Sequence, residues 1–145
     1  MLIATADLAR HRGEVAMVDG GFDPIHHGHV EYFERAAALG APVLCNVAPD
    51  DWVSRKHRPL LSQDQRARVI DAFRAIAYTH IAKGTTLDVL AALRPKLYVK
   101  GADWRDRLPV DQVELCASEG IEIVFLETVL DSSTALLEAF SEPSD

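Results

Sequence analysis

The chain has 145 residues, of which 48% are apolar and 26% charged, and its formal net charge is −7. This length predicts a single domain that is large enough to bury a core. The acidic balance argues against a general nucleic-acid-binding surface, although it leaves room for a local basic pocket. No apolar run approaches the roughly 18 residues of a membrane span. The start of the chain lacks a secretory signal pattern, so we expect a cytoplasmic protein.

The pattern of apolar and polar residues predicts strands that alternate with helices along the chain. Residues 1–13 are interpreted as a lead-in with a short helix, and residues 141–145 as the frayed tail of one domain spanning 1–145. The expected strands are 15–18, 42–47, 78–82, 97–99 and 121–126. The expected helices are 30–39, 63–75, 87–93, 109–119 and 132–140. This order predicts an α/β, Rossmann-like fold: a doubly wound parallel sheet of five strands with helices on both faces.

The turn after the first predicted strand carries the sequence DGGFDPIHHGH, from Asp19 to His29. Gly20 and Gly21 permit a tight turn and a close approach of the backbone to a ligand. His26 and His29 are three residues apart at the start of the next helix, so their side chains share a face. The first turn of a helix presents unpaired N–H groups and the positive end of the dipole. This stretch therefore predicts a phosphate-binding site.

Further polar side chains follow the other predicted strands, at the edge where ligands of parallel sheets bind. Lys56 lies after the second strand in a basic loop, which by itself would be interpreted as a solvated run of charge. Residues 100–104 follow the fourth strand, and residues 132–134 follow the fifth as possible helix caps. His57 and His80 receive no role. The two cysteines, Cys45 and Cys116, are expected to be buried rather than paired.

The motif GGFDPIHHGH resembles the H-x-G-H motif of a nucleotidyltransferase superfamily that includes cytidylyltransferases and adenylyltransferases. The segments RKHRPLLSQDQR, LRPKLYVKGADW and DSSTALLEAF are similar to its heptose-1-phosphate adenylyltransferase and glycerol-3-phosphate cytidylyltransferase branches, and the resemblance runs from Leu8 to Phe140. Members join a nucleoside triphosphate to a phosphorylated alcohol or sugar and release pyrophosphate. Such a reaction needs positioning and charge stabilisation rather than a protein nucleophile.

The resemblance implies roles for the residues of these motifs. His26, His29 and Lys56 would be catalytic, because they would hold the triphosphate and neutralise its charge. Asp19 and Arg66 would bind the acceptor, Arg66 by holding its phosphate or by shaping the site. Mg²⁺ would enter with the nucleotide, and a homodimer is implied by analogy. The residues implied in nucleotide binding are Gly20, Gly21, Phe22, Asp23 (as a loop-shaping residue first), Gly28, Lys100, Gly101, Asp103, Trp104, Ser132, Ser133 and Thr134.

Departures from the family pattern keep alternatives open. Gly21 stands where relatives often carry a hydroxyl or thiol, Asp19 where the heptose branch carries Asn, and Glu127 where the glycerol-phosphate branch carries Arg. The histidine pair could instead bind Zn²⁺, although no third ligand lies nearby in sequence, or it could be an ordinary surface feature. Arg66 could form a surface ion pair, and Trp104 could be a packing aromatic.

The sequence as a whole predicts a nucleotidyltransferase. It would transfer a nucleoside monophosphate, with ATP as the favoured donor, to a phosphorylated sugar such as heptose 1-phosphate. The alternative is a CTP-dependent cytidylyltransferase that acts on glycerol 3-phosphate or a similar polyol phosphate. A nucleotide-binding module without catalysis and a metal-binding interaction protein are alternatives from other classes. Neither nucleic acid nor membrane is an expected partner.

Overall fold

The sheet at the centre of the computed structural model has five parallel strands in the order β3-β2-β1-β4-β5. The structure describes residues 1–127 and 133–141. The strands are β1 (Ala16–Gly20), β2 (Val43–Val47), β3 (Ile76–Ile81), β4 (Leu97–Gly101) and β5 (Glu122–Leu126). The helices are α1 (His27–Ala37), α2 (Asp50–Val53), α3 (Gln63–Asp71), α4 (Thr86–Leu93), α5 (Val110–Glu119) and α6 (Ser133–Ser141). Single 3₁₀ helices cover Thr5–His11 and Ala102–Trp104.

The strand order confirms the Rossmann-like α/β fold that the sequence predicts. From the central strand β1 the chain moves outward through β2 and β3, and it then crosses back to build β4 and β5 on the other side. The order therefore reverses between β1 and β4. In sheets of this kind, ligands bind in the crevice beyond the carboxyl ends of the strands at that point.

Each face of the sheet has its own apolar core. Phe33 of α1 and Ile70 of α3 are fully buried against one face. Leu90 of α4 and Cys116 of α5 pack against the other face, together with Leu8 of the first 3₁₀ helix. Because both faces are covered, the strands are nearly continuous apolar runs, as parallel strands usually are. None of the described helices is long and apolar enough to cross a membrane.

Several element boundaries differ from the expected ones; α1, for example, begins at His27 rather than at residue 30, and β3 begins at Ile76 rather than at residue 78. α3 ends at Asp71 rather than at residue 75, because its last amides bond three residues back and the chain then turns directly into β3. The basic segment after β2 contains the short helix α2, which begins after Pro49 with two acidic residues at its positive end. The lead-in forms a 3₁₀ helix, and before it the amide of Ile3 bonds to the carbonyl of Thr79, at 2.9 Å, along the edge of β3.

Candidate active site

His26 and His29 close the N-terminus of α1 by accepting hydrogen bonds from its first amides. His26 is the N-cap residue, and its Nδ1 accepts from the amide of Gly28 at 3.0 Å. The Nδ1 of His29 accepts from the amide of His26 at 3.2 Å, and the two ring centroids lie 3.9 Å apart. A neutral imidazole that accepts through Nδ1 carries its proton on Nε2. Both rings therefore carry an N–H donor of the kind that binds phosphate oxygens, and that of His26 is shielded from solvent in this structure.

His29 is held in its neutral form by its surroundings. Its pKa is lowered to about 3, because burial and, to a smaller extent, repulsion from a protonated His26 ring disfavour the protonated form. The ring of Phe22 packs edge-on against it with 4.9 Å between centroids. Phe22 is only 5% exposed, and a side chain at Gly20 would place its Cβ 3.0 Å from the Phe22 ring. Phe22 would therefore contribute to nucleotide binding only indirectly, by supporting the ring of His29 from the core.

Asp23 connects the histidine loop to the segment that precedes α3. Its carboxylate accepts hydrogen bonds from the amide of Leu60 at 2.7 Å and from the amide of Leu61 at 3.1 Å. The residue is 2% exposed. Both carboxylate oxygens thus serve the backbone of a neighbouring loop, and a buried carboxylate in this position fixes the two loops relative to each other.

Arg66 is buried and directs its donors inward. Nη1 donates to the carbonyl of Gly21 at 2.8 Å and to that of Ala48 at 2.7 Å, while Nε donates to the carbonyl of Leu61 at 3.1 Å. Nη2 forms an ion pair with Asp50 at 2.8 Å. The guanidinium therefore joins the loops after β1 and β2 to the segment before α3. Because only 1% of the residue is exposed, the predicted role of Arg66 in acceptor binding would be indirect, through the shape of these loops.

Asp19 and Lys100 meet across the switch in strand order. The Lys100 ammonium lies 2.8 Å from one Asp19 oxygen, and the Tyr98 hydroxyl donates to the other at 2.9 Å. The same ammonium lies 4.3 Å from the centre of the Trp104 ring. Burial, followed by the Asp19 charge, raises the pKa of Tyr98, so its hydroxyl stays a donor. Asp103, in the same 3₁₀ helix as Trp104, lies so close to Gly101 that a Cβ there would be 2.7 Å from the Asp103 carboxylate.

Lys56 lies on the exposed segment after α2. Its ammonium sits 4.4 Å from the centre of the Trp52 ring, a cation–π contact that orients an otherwise free side chain. Trp52 also borders the loop after β1, because a Cβ at Gly21 would be 3.5 Å from its ring and 3.4 Å from Val53. These are ordinary contact distances. The small helix α2 thus places Lys56 beside the same loop that precedes the histidines.

The N-terminus of α6 reaches the histidine loop from the other side. Ser133 begins this helix, and its hydroxyl donates to the carbonyl of Pro24 at 2.7 Å. Thr134 follows in the same turn of α6, and Ser132 lies outside the described residues. Glu127 forms an exposed ion pair with Arg105 at 2.7 Å. Two helix N-termini, those of α1 and α6, therefore flank one loop.

The described residues also include polar side chains at this edge that sequence reasoning left without a role. The Tyr32 hydroxyl, from α1, donates to the carbonyl of Val99 and so ties α1 to β4. Asn46 and His80 are buried near the carboxyl ends of β2 and β3. A polar residue next to the end of an otherwise apolar strand was the available signal for both. Within the described ranges, no group of three or more His, Cys, Asp and Glu is placed to hold a metal ion.

Two histidines with lowered pKa values, His29 and His80, make the stability of the fold depend on pH. Burial and the charge of Lys83 lower the pKa of His80 to about 4, and that of His29 is lower still. In the unfolded chain these rings take up protons near pH 6.5. The contribution of the neutral rings to the free energy of unfolding is therefore fully present above that pH, and it is lost as the pH falls towards 4. For His80 the expected loss at pH 5 is about 2 kcal/mol.

Urea unfolding at pH 7.5 and pH 5.0 measures this loss. His80→Gln removes the titrating ring, so the variant should lose less stability between the two pH values than the wild type does. An equal loss in both proteins would contradict the assignment of a neutral, buried His80.

The chain is similar to known proteins in both sequence and fold. The family model described as cytidylyltransferase-like matches residues 17–135. The bifunctional protein HldE of Pseudomonas savastanoi pv. phaseolicola (strain 1448A / Race 6) is 33% identical over 144 residues, which cover 94% of this chain and 30% of that protein. HldE of Campylobacter jejuni (strain RM1221) is 34% identical over 107 residues, covering 71% of this chain and 23% of the relative. The chain thus spans less than a third of the length of these relatives.

Two solved structures show the same fold at low sequence identity. The lipopolysaccharide core biosynthesis protein from Thermoplasma volcanium superposes with a TM-score of 0.67 at 20% identity, over 80% of this chain and 98% of that one. Pantothenate synthetase from Thermus thermophilus gives a TM-score of 0.62 at 15% identity, over 90% of this chain and 62% of that one. At these identities the likeness concerns the fold alone.

Proposed function

The chain belongs to the cytidylyltransferase-like family, and from that premise we propose that it is a nucleotidyltransferase that transfers a nucleoside monophosphate, preferably AMP, to a phosphorylated sugar such as heptose 1-phosphate. The observation that carries the proposal is the histidine pair at the N-terminus of α1, where two Nε2–H donors adjoin the positive end of a helix dipole. The similarity of three further segments to the heptose branch favours ATP and a sugar phosphate.

The proposed reaction is an in-line displacement at the α-phosphorus. An oxygen of the acceptor phosphate forms a bond to the α-phosphorus, while the bond to the bridging oxygen breaks and its electron pair leaves with pyrophosphate. Neutral His29 donates to the oxygens on which charge develops, and His26 holds the triphosphate beside it. Lys56 is exposed and carries its point charge on a long side chain, so it can neutralise the departing pyrophosphate.

Mg²⁺ fits this site as a partner of the nucleotide. The carboxylates of Asp19 and Asp23 are engaged by protein donors, and the described residues contain no cluster of three or more metal-ligating side chains. This suits an ion whose ligands are mainly phosphate oxygens and water. When bound, it neutralises phosphate charge. Phosphate contacts from the protein would come from the two histidines, from Lys56 and from the backbone N–H of Ser133 at the start of α6.

From the resemblance alone, we further propose a cytoplasmic homodimer. Light scattering of the purified chain tests its oligomeric state. A mass of 16.0 kDa at working concentration would identify a monomer and exclude the dimer.

Pyrophosphate release tests the reaction. The purified protein is given Mg²⁺ and ATP, CTP, GTP or UTP, each with heptose 1-phosphate, other sugar 1-phosphates or glycerol 3-phosphate. Release with ATP and a sugar 1-phosphate is the expected result. Release only with CTP and a polyol phosphate would assign the protein to the cytidylyltransferase alternative. Nucleotide binding by calorimetry without any release would assign it to the non-catalytic alternative.

Replacing Lys56 with Ala should reduce kcat/KM by about 10- to 100-fold, because a charge that neutralises phosphate is lost. The melting temperature should change little, since an exposed cation–π contact is worth only about 0.5–1 kcal/mol. Arg55→Ala, a neighbouring change in the same exposed segment, is the matched control and should stay near wild-type activity. A large loss of thermal stability in Lys56→Ala, with activity per folded molecule retained, would show a structural role instead.

A further inference from the structure

A row of polar side chains crosses four strands of the sheet, β1 to β4, one residue before the end of each of these strands. Asp19 of β1 is the register partner of Asn46 of β2, which in turn is the partner of His80 of β3. Lys100 of β4 continues the row through its ion pair with Asp19. Register partners in parallel strands point to the same face, here the face covered by α4 and α5. On the same face, the residues two positions earlier in these four strands are apolar or aromatic.

The polar side chains of this row are buried, and removing them from water costs free energy. His80 is 1% exposed, Asn46 3% and Lys100 7%, and the Asp19 side chain is 11% exposed. Removing such groups from water is unfavourable unless they are hydrogen-bonded. Asp19 is satisfied by Lys100 and Tyr98. A carboxylate has about four acceptor positions, so it retains capacity for a ligand.

A chain of hydrogen bonds fixes the orientation of Asn46. The Nδ1 of His80 lies 2.8 Å from the amide oxygen of Asn46, and its Nε2 lies 2.8 Å from the hydroxyl of Thr5. The amide oxygen can only accept, so the neutral ring carries its proton on Nδ1 and accepts from Thr5 through Nε2. The amide nitrogen of Asn46 is thereby turned away from His80. Among the residues that the structure describes, none accepts a hydrogen bond from that nitrogen.

The row and the histidine pair lie at the same carboxyl edge of the sheet, on opposite faces. α1, which carries His26 and His29, covers the face of the sheet opposite to the row. Both groups lie at the carboxyl edge, beside the reversal of strand order at β1. A molecule whose phosphate is held at the N-terminus of α1 would extend its remaining groups across the ends of β1 and β2. There it would meet the acceptor oxygens of Asp19 and the donor N–H groups of Asn46.

We propose that Asp19 and Asn46 recognise adjacent hydroxyl groups of the acceptor, which makes the acceptor a polyhydroxylated sugar phosphate. The inference rests on the proposed function and deepens it. A hydroxyl both donates and accepts, so a carboxylate and an amide on strands about 4.8 Å apart suit a diol. They do not suit an apolar chain, which would leave both groups unpaired. His80 and Thr5 act as positioning residues, because they orient the Asn46 amide without touching the sugar.

Steady-state kinetics with heptose 1-phosphate and its 2-, 3- and 4-deoxy analogues test this assignment. Asn46→Ala should raise the KM for heptose 1-phosphate about tenfold, the effect of losing one or two hydrogen bonds. The KM for ATP should stay within a factor of three of the wild-type value. For the deoxy analogue that lacks the hydroxyl bound by Asn46, the variant and the wild type should have equal KM values.

Two further variants keep the test decisive if Asn46→Ala folds poorly. Thr5→Val removes the hydroxyl that orients His80 and should raise the sugar phosphate KM in the same direction, with less effect. Thr79→Val is the matched control, because Thr79 is a fully buried residue of β3 whose hydroxyl bonds to Asp71 instead of the row. An unchanged sugar phosphate KM in folded Asn46→Ala, or in Thr5→Val where Asn46→Ala does not fold, would overturn this inference and leave the proposed function standing. A wild type that releases no pyrophosphate with any pair of substrates would overturn both.

Discussion

Replacing His29 with Ala should lower kcat by a factor on the order of 10² to 10³, the usual effect of removing one preorganised donor to developing charge. His29 is suited to that role because burial keeps it neutral, with a pKa of about 3, and because Nδ1 is engaged by the His26 amide. Its Nε2–H is therefore a fixed donor throughout the physiological pH range. Single-turnover pyrophosphate release with saturating substrates measures the loss in the chemical step.

Two variants separate this catalytic role from the structural one. His29 also caps α1, so Ala removes a hydrogen bond to the helix terminus as well as the imidazole. His29→Gln can restore the cap, because Gln at the third position of a helix accepts from the N-cap amide, yet it lacks the imidazole donor. We expect Gln to recover stability but not kcat. His27→Ala, an exposed neighbour in the same helix turn, should keep near-normal turnover. Wild-type turnover in folded His29→Ala would exclude the assigned role.

Replacing Arg66 with Leu should lower the free energy of unfolding by about 3 kcal/mol or more, because buried partners of a charged donor are left unpaired. The guanidinium supplies hydrogen bonds to three backbone carbonyls and an ion pair to Asp50. Arg66→Lys should recover only part of the loss, since one ammonium cannot reach partners spread over three loops. Urea unfolding of both variants gives the two differences directly.

Arg68→Ala provides the control for Arg66. Arg68 is an exposed residue of the same helix, and surface changes of this kind usually alter stability by less than about 0.5 kcal/mol. Activity gives a second readout, because the loop after β1 that Arg66 holds leads to the histidines. Arg66→Lys should therefore lose turnover as well as stability. An Arg66→Leu variant as stable as Arg68→Ala would show that the buried contacts contribute nothing.

Local sequence determined the fold class and the position of the main motif. The strands alternate with helices in blocks, and most strand residues are apolar, which is sufficient to predict a parallel sheet between two helix layers. The run DGGFDPIHHGH predicts its own structure, since the glycines permit the turn and the histidines come where helix residues begin. Because these features depend on residues that are close together in the sequence, they can be predicted without the tertiary structure.

Long-range contacts decided the parts that the sequence left open. Arg66 is charged and lies on a helix, so a surface ion pair was as reasonable as a place in the site. Its burial results from carbonyls supplied by loops up to 45 residues away. Likewise Asp19, Asn46 and His80 come from three strands, and only the register of the sheet sets them side by side. Sequence spacing determines which residues share an element, but the pairing of distant strands determines which polar groups share a site.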